Sequence, residues 1–279
     1  DTKDQHGKDI FFLDYFAYGE FEVASKLFAA RVGNQVISWG EAFFFPNTAA
    51  AQSHADADAA AAPGTQVKEI FLPSGAIYGN LEINQNISIE AYYQYEWERT
   101  KQAAVGSYWS NADVSGNGAE RFLLYQDGLD IPGVPSSLLV PVDVVRGQEP
   151  NDDEAQYGVA TRYFFDGGTE LGFFYVRYHD KLPNVLGLTN PDPAVSQLAP
   201  FPVALQDYYH EDIDLFSMSF STLVGGVNMV GEISYQVDAA PTQRIIPAEV
   251  SDGMYATAEI EESDVIQANI GLFQIWGSN

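Results

Sequence analysis

His6, His54, His179 and His210 are the only histidines in the chain, so an imidazole general base would have to be one of them. Ser53-His54 with Asp56 has the residue types of a nucleophile, a base and an orienting carboxylate. They are sequence neighbours in a run of small residues, however, and neighbours rarely converge on one catalytic geometry. His179-Asp180 and His210-Glu211-Asp212 fall at borders between strands and loops, where solvation is the expectation. No G-x-S-x-G, H-E-x-x-H or P-loop pattern occurs. Asn151-Asp152-Asp153-Glu154 and Glu261-Glu262 with Asp264 offer oxygen ligands of the kind Ca2+ takes, but without EF-hand spacing. Charge runs in loops are ordinarily solvated. The chain is therefore expected not to be an enzyme and to need no metal or cofactor.

A second set of residues suits shaping a passage rather than breaking bonds. Trp39-Gly40-Glu41 ends a strand with a bulky ring, a residue that allows a sharp turn and a carboxylate. Arg31, Lys68 and Glu69 could pair with Glu41, and Glu90 and Glu96 lie on the polar side of a later strand. Arg31, Trp39, Gly40, Glu41, Lys68, Glu69, Glu90 and Glu96 are thus the candidate constriction residues. The plainer reading, a structural turn that anchors an inserted segment, is the one the sequence favours at Trp39–Glu41.

Composition narrows the setting. The 279 residues suffice for one large all-β domain. Hydrophobic residues make up 46%, yet mean hydropathy is only −0.14, so apolar and polar residues alternate finely. No apolar run approaches the roughly 20 residues a spanning helix needs, but a spanning strand needs only about 9–11. The 39 acidic against 13 basic residues give a net charge of −26, which disfavours nucleic acid as a partner. With no cysteine, disulfides and thiolate metal sites are excluded. The chain begins at Asp1 without a visible signal peptide, which suggests processing or a longer parent.

The elements that must position these residues read as strands. Ile10 to Val23 alternates, with Leu13, Tyr15, Ala17, Gly19, Phe21 and Val23 on one face. Leu27 to Trp39 is its hairpin partner across Ser25-Lys26. Ile87 to Glu98 has the clearest period: Ile87, Ile89, Ala91, Tyr93, Tyr95 and Trp97 oppose Ser88, Glu90, Tyr92, Gln94, Glu96 and Glu98. An apolar face that becomes aromatic at one end suits a strand leaving hydrocarbon at an interfacial girdle. Gln156–Phe165 pairs with Thr169–His179, Ile213–Val224 with Val227–Asp238, and Val265–Trp276 is the last strand. Between the first strands, Asn47 or Thr48 could cap a short helix running to Ala62, stopped at Pro63-Gly64. It has no broad apolar face, but small side chains would let it lie close against a wall.

Short turns at Ser25-Lys26, Asn84–Asn86, Asp166–Gly168 and Gly225-Gly226 alternate with long connections at 40–66, 101–153, 181–206 and 239–264. Short turns at one end and long loops at the other are how outer-membrane barrels are built. About nine strands are counted, whereas single-chain bacterial barrels normally have an even number. The expected fold is all-β: an antiparallel up-and-down transmembrane β-barrel, porin-like and incomplete in this chain. A single domain over 1–279 would carry 40–66 as an inserted plug. If the apolar faces meet lipid, Asp14, Glu20, Glu22, Arg31, Glu82, Glu90, Glu96, Glu98, Arg162, Glu232 and Asp238 line the lumen. Glu90, Gln94 and Glu96 would then face water, and Ile89, Tyr93 and Tyr95 lipid.

Arg31 to Glu41 (R-V-G-N-Q-V-I-S-W-G-E), Pro63 to Pro73 (P-G-T-Q-V-K-E-I-F-L-P) and Ser88 to Trp97 (S-I-E-A-Y-Y-Q-Y-E-W) agree in order and spacing with one family's pattern. Over roughly residues 27–100 the chain resembles the proteobacterial outer-membrane β-barrel family catalogued as domain of unknown function thirteen-oh-two. It departs from that pattern between Phe45 and Ala62. The resemblance implies a barrel of the Gram-negative outer membrane, roughly twice this length and without an established activity. It also implies possible partners, a resistance-nodulation-division (RND) exporter and an outer-membrane lipoprotein, and a small hydrophobic or lipid-like cargo. The expected function is passage of such a cargo across the outer membrane. The alternative is a structural or surface-binding barrel without transport, and third comes an outer-membrane hydrolase.

Overall fold

The computed structural model describes residues 12–41, 47–65, 70–110, 114–127, 137–151, 156–188, 202–239, 242–244 and 259–274. Among the described residues, fifteen strands and two one-turn helices make up the regular structure. Nine of the strands form one antiparallel sheet in which each pairs with the next: β1 (Tyr15–Val23), β2 (Lys26–Gln35), β3 (Ser74–Glu82), β4 (Ile87–Gln94), β7 (Gln156–Phe164), β8 (Glu170–Tyr178), β11 (Ile213–Val224), β12 (Val227–Val237) and β15 (Val265–Phe273). The meander is all-β and up-and-down, and its strands are those the alternation predicts. Among the described residues β1 and β15 are its two edges, and they do not pair with one another.

Register follows from period two and from tight turns. Val23 pairs with Lys26, so the first turn is Ala24-Ser25, one residue earlier than the sequence suggests. Both turn residues have positive φ (49° and 61°), as does Gly225-Gly226 between β11 and β12 (59° and 81°). Two positive φ values match the right-handed twist of the flanking strands. The turn end is thus compact, while every long connection leaves from the other end.

Two of those connections are not irregular. The 101–153 and 181–206 stretches contain β5 (Arg121–Asp127), β6 (Ser137–Val145), β9 (Asn184–Leu188) and β10 (Ala204–Tyr208). They form a separate four-stranded sheet in the order β5-β6-β10-β9, with β6 and β10 parallel. A third pair, β13 (Thr242–Arg244) with β14 (Glu259–Glu261), lies in the last connection.

The two faces of the nine-stranded sheet differ sharply. One is bare and apolar. A row of side chains runs across it through Phe21, Phe28, Leu81, Ile89, Thr161, Phe173, Met218 and Ile233. Phe173 is 49% exposed and Ile266, on β15, 71%. Nearer the long connections the bare face turns to Tyr93 and Tyr157, then to Arg177 paired with Asp214. The other face is covered by the segment that follows β2. The buried apolar cluster sits between them: Ile37, Trp39 and Ala51 from the segment, with Tyr92, Ala160, Phe174, Val176, Ile213 and Leu215 from the sheet.

Candidate functional site

The covering segment starts where β2 ends. Trp39 is 2% exposed and lies edge-on to Tyr92 and stacked on Phe174, with ring centroids at 5.0 and 5.9 Å. It comes this close because β7 carries Gly158 at that point. A Cβ there would sit 2.5 Å from Tyr92 and 2.7 Å from the indole. Two helices of five residues follow, α1 (Thr48–Gln52) and α2 (Ala57–Ala61). The expected single helix to Ala62 is broken at Ser53–Asp56, where Ala55 bridges to Phe71 and Asp56 to Lys101. Asp56 caps α2 by accepting from the Ala59 N–H at 2.9 Å. Asn47 makes no such cap; its Oδ1 accepts from Ser234 on β12 instead. α1 carries almost no apolar bulk, yet Thr48, Ala49, Ala51 and Gln52 are buried against the sheet. Small side chains permit that close approach, as the sequence suggests.

Polar side chains hold the segment at two places on the sheet. On β4, Glu90 is 7% exposed. It accepts from the Trp39 Nε1–H at 2.7 Å, from Tyr78 Oη at 2.8 Å and from Arg162 Nε at 2.8 Å. Arg162 spans to Glu170 at 2.5 Å. On β12, the buried Glu232 accepts from the Glu41 N–H at 2.7 Å, the Thr48 N–H at 2.9 Å and Thr48 Oγ1 at 2.6 Å. Bonds to ionised acceptors are stronger than neutral ones, and a buried carboxylate left without them would be costly.

Further bonds close the seam. Gln52 Oε1 accepts from the Trp39 N–H at 2.7 Å, and Ser53 Oγ donates to the Ile37 carbonyl. Thr48 Oγ1 and Ser217 Oγ lie 2.6 Å apart. Lys181, itself buried, donates to the Ala51 carbonyl at 2.9 Å and to Gln156 Oε1 at 3.3 Å. Burial lowers the Lys181 ammonium to about 7, with Asp180 opposing that shift. Burial raises Asp180 to about 6. Glu41 is raised too, by burial first and then by the nearby Glu170 carboxylate. Gln35 Oε1, Asn47 Nδ2 and Gln156 Nε2 meet no protein hydrogen-bond partner in this seam.

The whole chain, residues 1–279, matches the family described as "Protein of unknown function (DUF1302)". The chain belongs to that family. The match extends well beyond the block around residues 27–100 that first suggests it. No curated protein and no solved structure matches the chain.

In this DUF1302 chain the candidate constriction residues divide. Trp39, Gly40, Glu41 and Glu90 come together at the seam. Gly40 has φ of +89°, and a Cβ on it would lie 2.1 Å from Glu232 Oε2. Arg31 lies elsewhere, with its guanidinium 4.3 Å from the Tyr78 ring centroid and 5.5 Å from that of Phe16. The charged groups near Glu41 are Glu170, Arg162 and Glu232. Glu96 binds the Gly75 N–H at 2.6 Å. Lys68 and Glu69 lie outside the described residues.

Ile89, Tyr93 and Tyr95 are exposed as expected, but Glu90 and Gln94 do not face water: both are buried on the covered side. Trp97 breaks the alternation. β4 ends at Gln94, and Trp97 turns inward against Tyr209 with ring centroids 5.0 Å apart. Alternation places Arg162 and Glu232 on the polar face. It gives no hint of Thr48, Gln52 or Lys181 as seam residues, because their roles depend on how an irregular segment docks.

The histidines and acidic runs have ordinary partners. His54 Nδ1 lies 3.1 Å from Ser74 Oγ, while Ser53 is engaged with Ile37. Burial, and then the Lys181 charge, lower His54 to about 4. His179 accepts from the Asp212 N–H, and His210 contacts Tyr208 and the Asp238 carbonyl. Among the described residues no group of three or more His, Asp or Glu side chains is placed to hold a metal ion. Asp264 accepts from the Tyr235 hydroxyl and the Asp238 N–H. His6 and Asp152–Glu154 lie outside the described residues.

Proposed function

We propose that this chain supplies wall strands and a plug of a porin-like β-barrel in the outer membrane of a Gram-negative bacterium. The barrel passes a small hydrophobic or lipid-like molecule. The observation that supports this most is the inverted burial of the nine-stranded sheet. Its covered face hides Glu90, Gln94, Gln156, Ser219, Glu232 and Ser234, while Phe173, Phe216, Ile233, Ile266 and Ile270 stand exposed. A sheet folding in water does the reverse, since each Å² of apolar surface left wet forgoes about 25 cal/mol. Hydrocarbon removes that cost. β12 fits the thickness: Val227–Val237 is eleven residues, within the roughly 9–11 that a tilted spanning strand needs. Tyr93, Tyr157 and the Arg177–Asp214 pair suit the interface beyond.

An RND-type exporter and a lipoprotein are the proposed partners at the long-connection end. A barrel that only binds or scaffolds draws support from the covered face, because the seated segment occupies the polar side of the sheet around Trp39 and Glu90. Two measurements test the reading. Ala91→Arg, mid-height on the bare face, should cost about 2–4 kcal/mol of folding stability in lipid. A change under about 0.5 kcal/mol, with the protein dissolving freely without detergent, refutes the membrane placement. Uptake of a lipid-like dye into liposomes carrying the protein separates passage from scaffolding.

A further inference from the structure

Arg31 is a candidate constriction residue that the seam does not use. It lies on the same face of the sheet as Glu90, paired with Tyr18 of β1 on one side and Tyr78 of β3 on the other. Rings hold its side chain, with the guanidinium carbon 4.3 Å from the Tyr78 ring centroid and 5.5 Å from that of Phe16. Tyr78 is fixed in turn, because its hydroxyl donates to Glu90. Arg99, Arg121, Arg146, Arg162 and Arg177 each pair with a carboxylate. Among the described residues Arg31 has neither an ion pair nor a hydrogen bond. A guanidinium stacked on a ring keeps its N–H fork free, and that fork is shaped for a phosphate or a carboxylate.

The fork borders a cavity of about 370 Å3 whose described lining comes from β1, β2 and β3 alone. Strand pairing sets its plan. Tyr18, Arg31 and Tyr78 stand side by side in one row across the three strands, and Glu20, Ala29 and Asn80 in the next. Ala29 is small and leaves the floor open between Glu20 and Asn80. The two rows are two residues apart along each strand, about 7 Å. Glu82 lines the cavity nearer the short-turn end. Glu20 accepts from the Tyr18 hydroxyl through Oε1. Asn80 Oδ1 has no donor among the described residues. A bare anion entering here would meet Arg31 but also Glu20 and Glu82, in a chain of net charge −26. A bare cation would be opposed by Arg31. A ligand carrying both charges at the spacing of the two rows is matched at each end.

We infer that this cavity seats the head of a zwitterionic molecule, its phosphate or carboxylate on Arg31 and its ammonium on Glu20, with Glu82 beyond. The inference rests on the barrel reading, which turns this polar face toward the lumen. It narrows the lipid-like cargo to one with a zwitterionic head. Tyr78 is a positioning residue: it holds the guanidinium flat and leaves the fork to the ligand.

The test titrates the full chain in maltoside micelles by calorimetry. Two short-chain lipids are compared, dihexanoylphosphatidylethanolamine and dihexanoylphosphatidylglycerol. Both carry the phosphate, and only the first carries an ammonium. The native protein should bind the ethanolamine lipid about tenfold more tightly, and Arg31→Gln should weaken that binding about tenfold or more. Glu20→Gln combined with Glu82→Gln should bring the two lipids within about twofold of each other. This double variant keeps Arg31 and its rings, so a lost preference with binding retained reports the ammonium seat and not a folding defect.

Equal affinity for the two lipids in the native protein overturns the inference. So does unchanged affinity in Arg31→Gln with the sheet intact by circular dichroism, or a preference that survives in the double variant. O-phosphoethanolamine, the same head without chains, distinguishes the source. If it binds as tightly as the lipid, the zwitterion seat stands and the lipid-like cargo fails. If the preference holds while liposomes carrying the protein take up no dye, the seat stands and the passage reading fails. Failure of the seat and failure of the barrel reading are therefore distinguishable.

Discussion

Gly40→Ala isolates what Glu232 contributes to the seam more sharply than changing Glu232 does. Two costs are separable at this position. The backbone lies at φ +89°, where an L side chain is strained by about 1–2 kcal/mol. The added methyl would also lie 2.1 Å from Glu232 Oε2 and 2.9 Å from its Cδ. A carboxylate is the end of a flexible side chain and can swing away. Doing so breaks its bonds to the Glu41 and Thr48 amides and to the Thr48 hydroxyl. Each bond to a charged acceptor is worth about 1.5–3 kcal/mol, and losing one or two adds about 2–5 kcal/mol. The expected total is about 3–7 kcal/mol.

Gly64→Ala is the matched control. Its φ is +90°, nothing lies within 4 Å of its Cβ position, and it should pay only the strain. The assay is denaturant unfolding in detergent or lipid, followed by circular dichroism. In a Glu232→Ala background the extra cost of Gly40→Ala should fall to that of Gly64→Ala. Equal losses for the two glycines in the native background, within about 0.5 kcal/mol, refute the reasoning that Glu232 anchors the segment.

Trp39→Phe keeps the ring contacts with Tyr92 and Phe174 but removes the N–H that Glu90 accepts. The expected loss is about 2 kcal/mol, read in the same titration. Thr48→Val removes the hydroxyl shared by Glu232 and Ser217, costs about 1–3 kcal/mol, and leaves the fold intact by circular dichroism. His54 is held near 4, below its unfolded value of 6.5, so its folding penalty is complete below pH 4 and gone above pH 6.5. Stability should climb by about 3 kcal/mol across that window, and His54→Gln should flatten the climb. Lys181 is depressed from 10.5 to about 7 in the same sense, so stability should keep rising between those values, and Lys181→Met should remove that rise.

The nine-stranded sheet was legible because period two carries its own register. Once Ile89 and Glu90 are assigned to opposite faces, a tight turn leaves one pairing for each neighbour. The second sheet was not legible for the opposite reason. β5 reads R-F-L-L-Y-Q-D and β6 contains Pro141, so neither alternates cleanly. β6 pairs with β10 in parallel, Asp143 to Ala204, across a separation that no local pattern encodes. Trp97 was misassigned because alternation was carried past Gln94, where the strand stops. Gln94 Nε2 donates to the Glu96 carbonyl there, and the chain turns to bury the indole. The seam was half legible. Parity says that Glu90 and Glu232 point to the polar side, but the donors they meet lie 51 and 184 residues away.

The same charge imbalance that disfavours nucleic acid as a partner also bears on what the carboxylates of the sheet bind. With 39 acidic and 13 basic residues cations are scarce, and among the buried acids described Asp207 takes Arg146. Arg162 serves both Glu90 and Glu170. Glu232 accepts three bonds from neutral donors, two of them amides fixed by the course of the chain. A buried carboxylate satisfied by backbone N–H groups avoids desolvating a partner ion and does not depend on a long side chain staying ordered. Such bonds are also screened little by salt, unlike exposed ion pairs such as Arg121–Asp143. The donors therefore have to come from a segment docked onto the sheet. Acidic positions on the covered face of the sheet and the backbone donors of the segment docked on it are two sides of one solution: each supplies what the other would otherwise leave buried and unbonded.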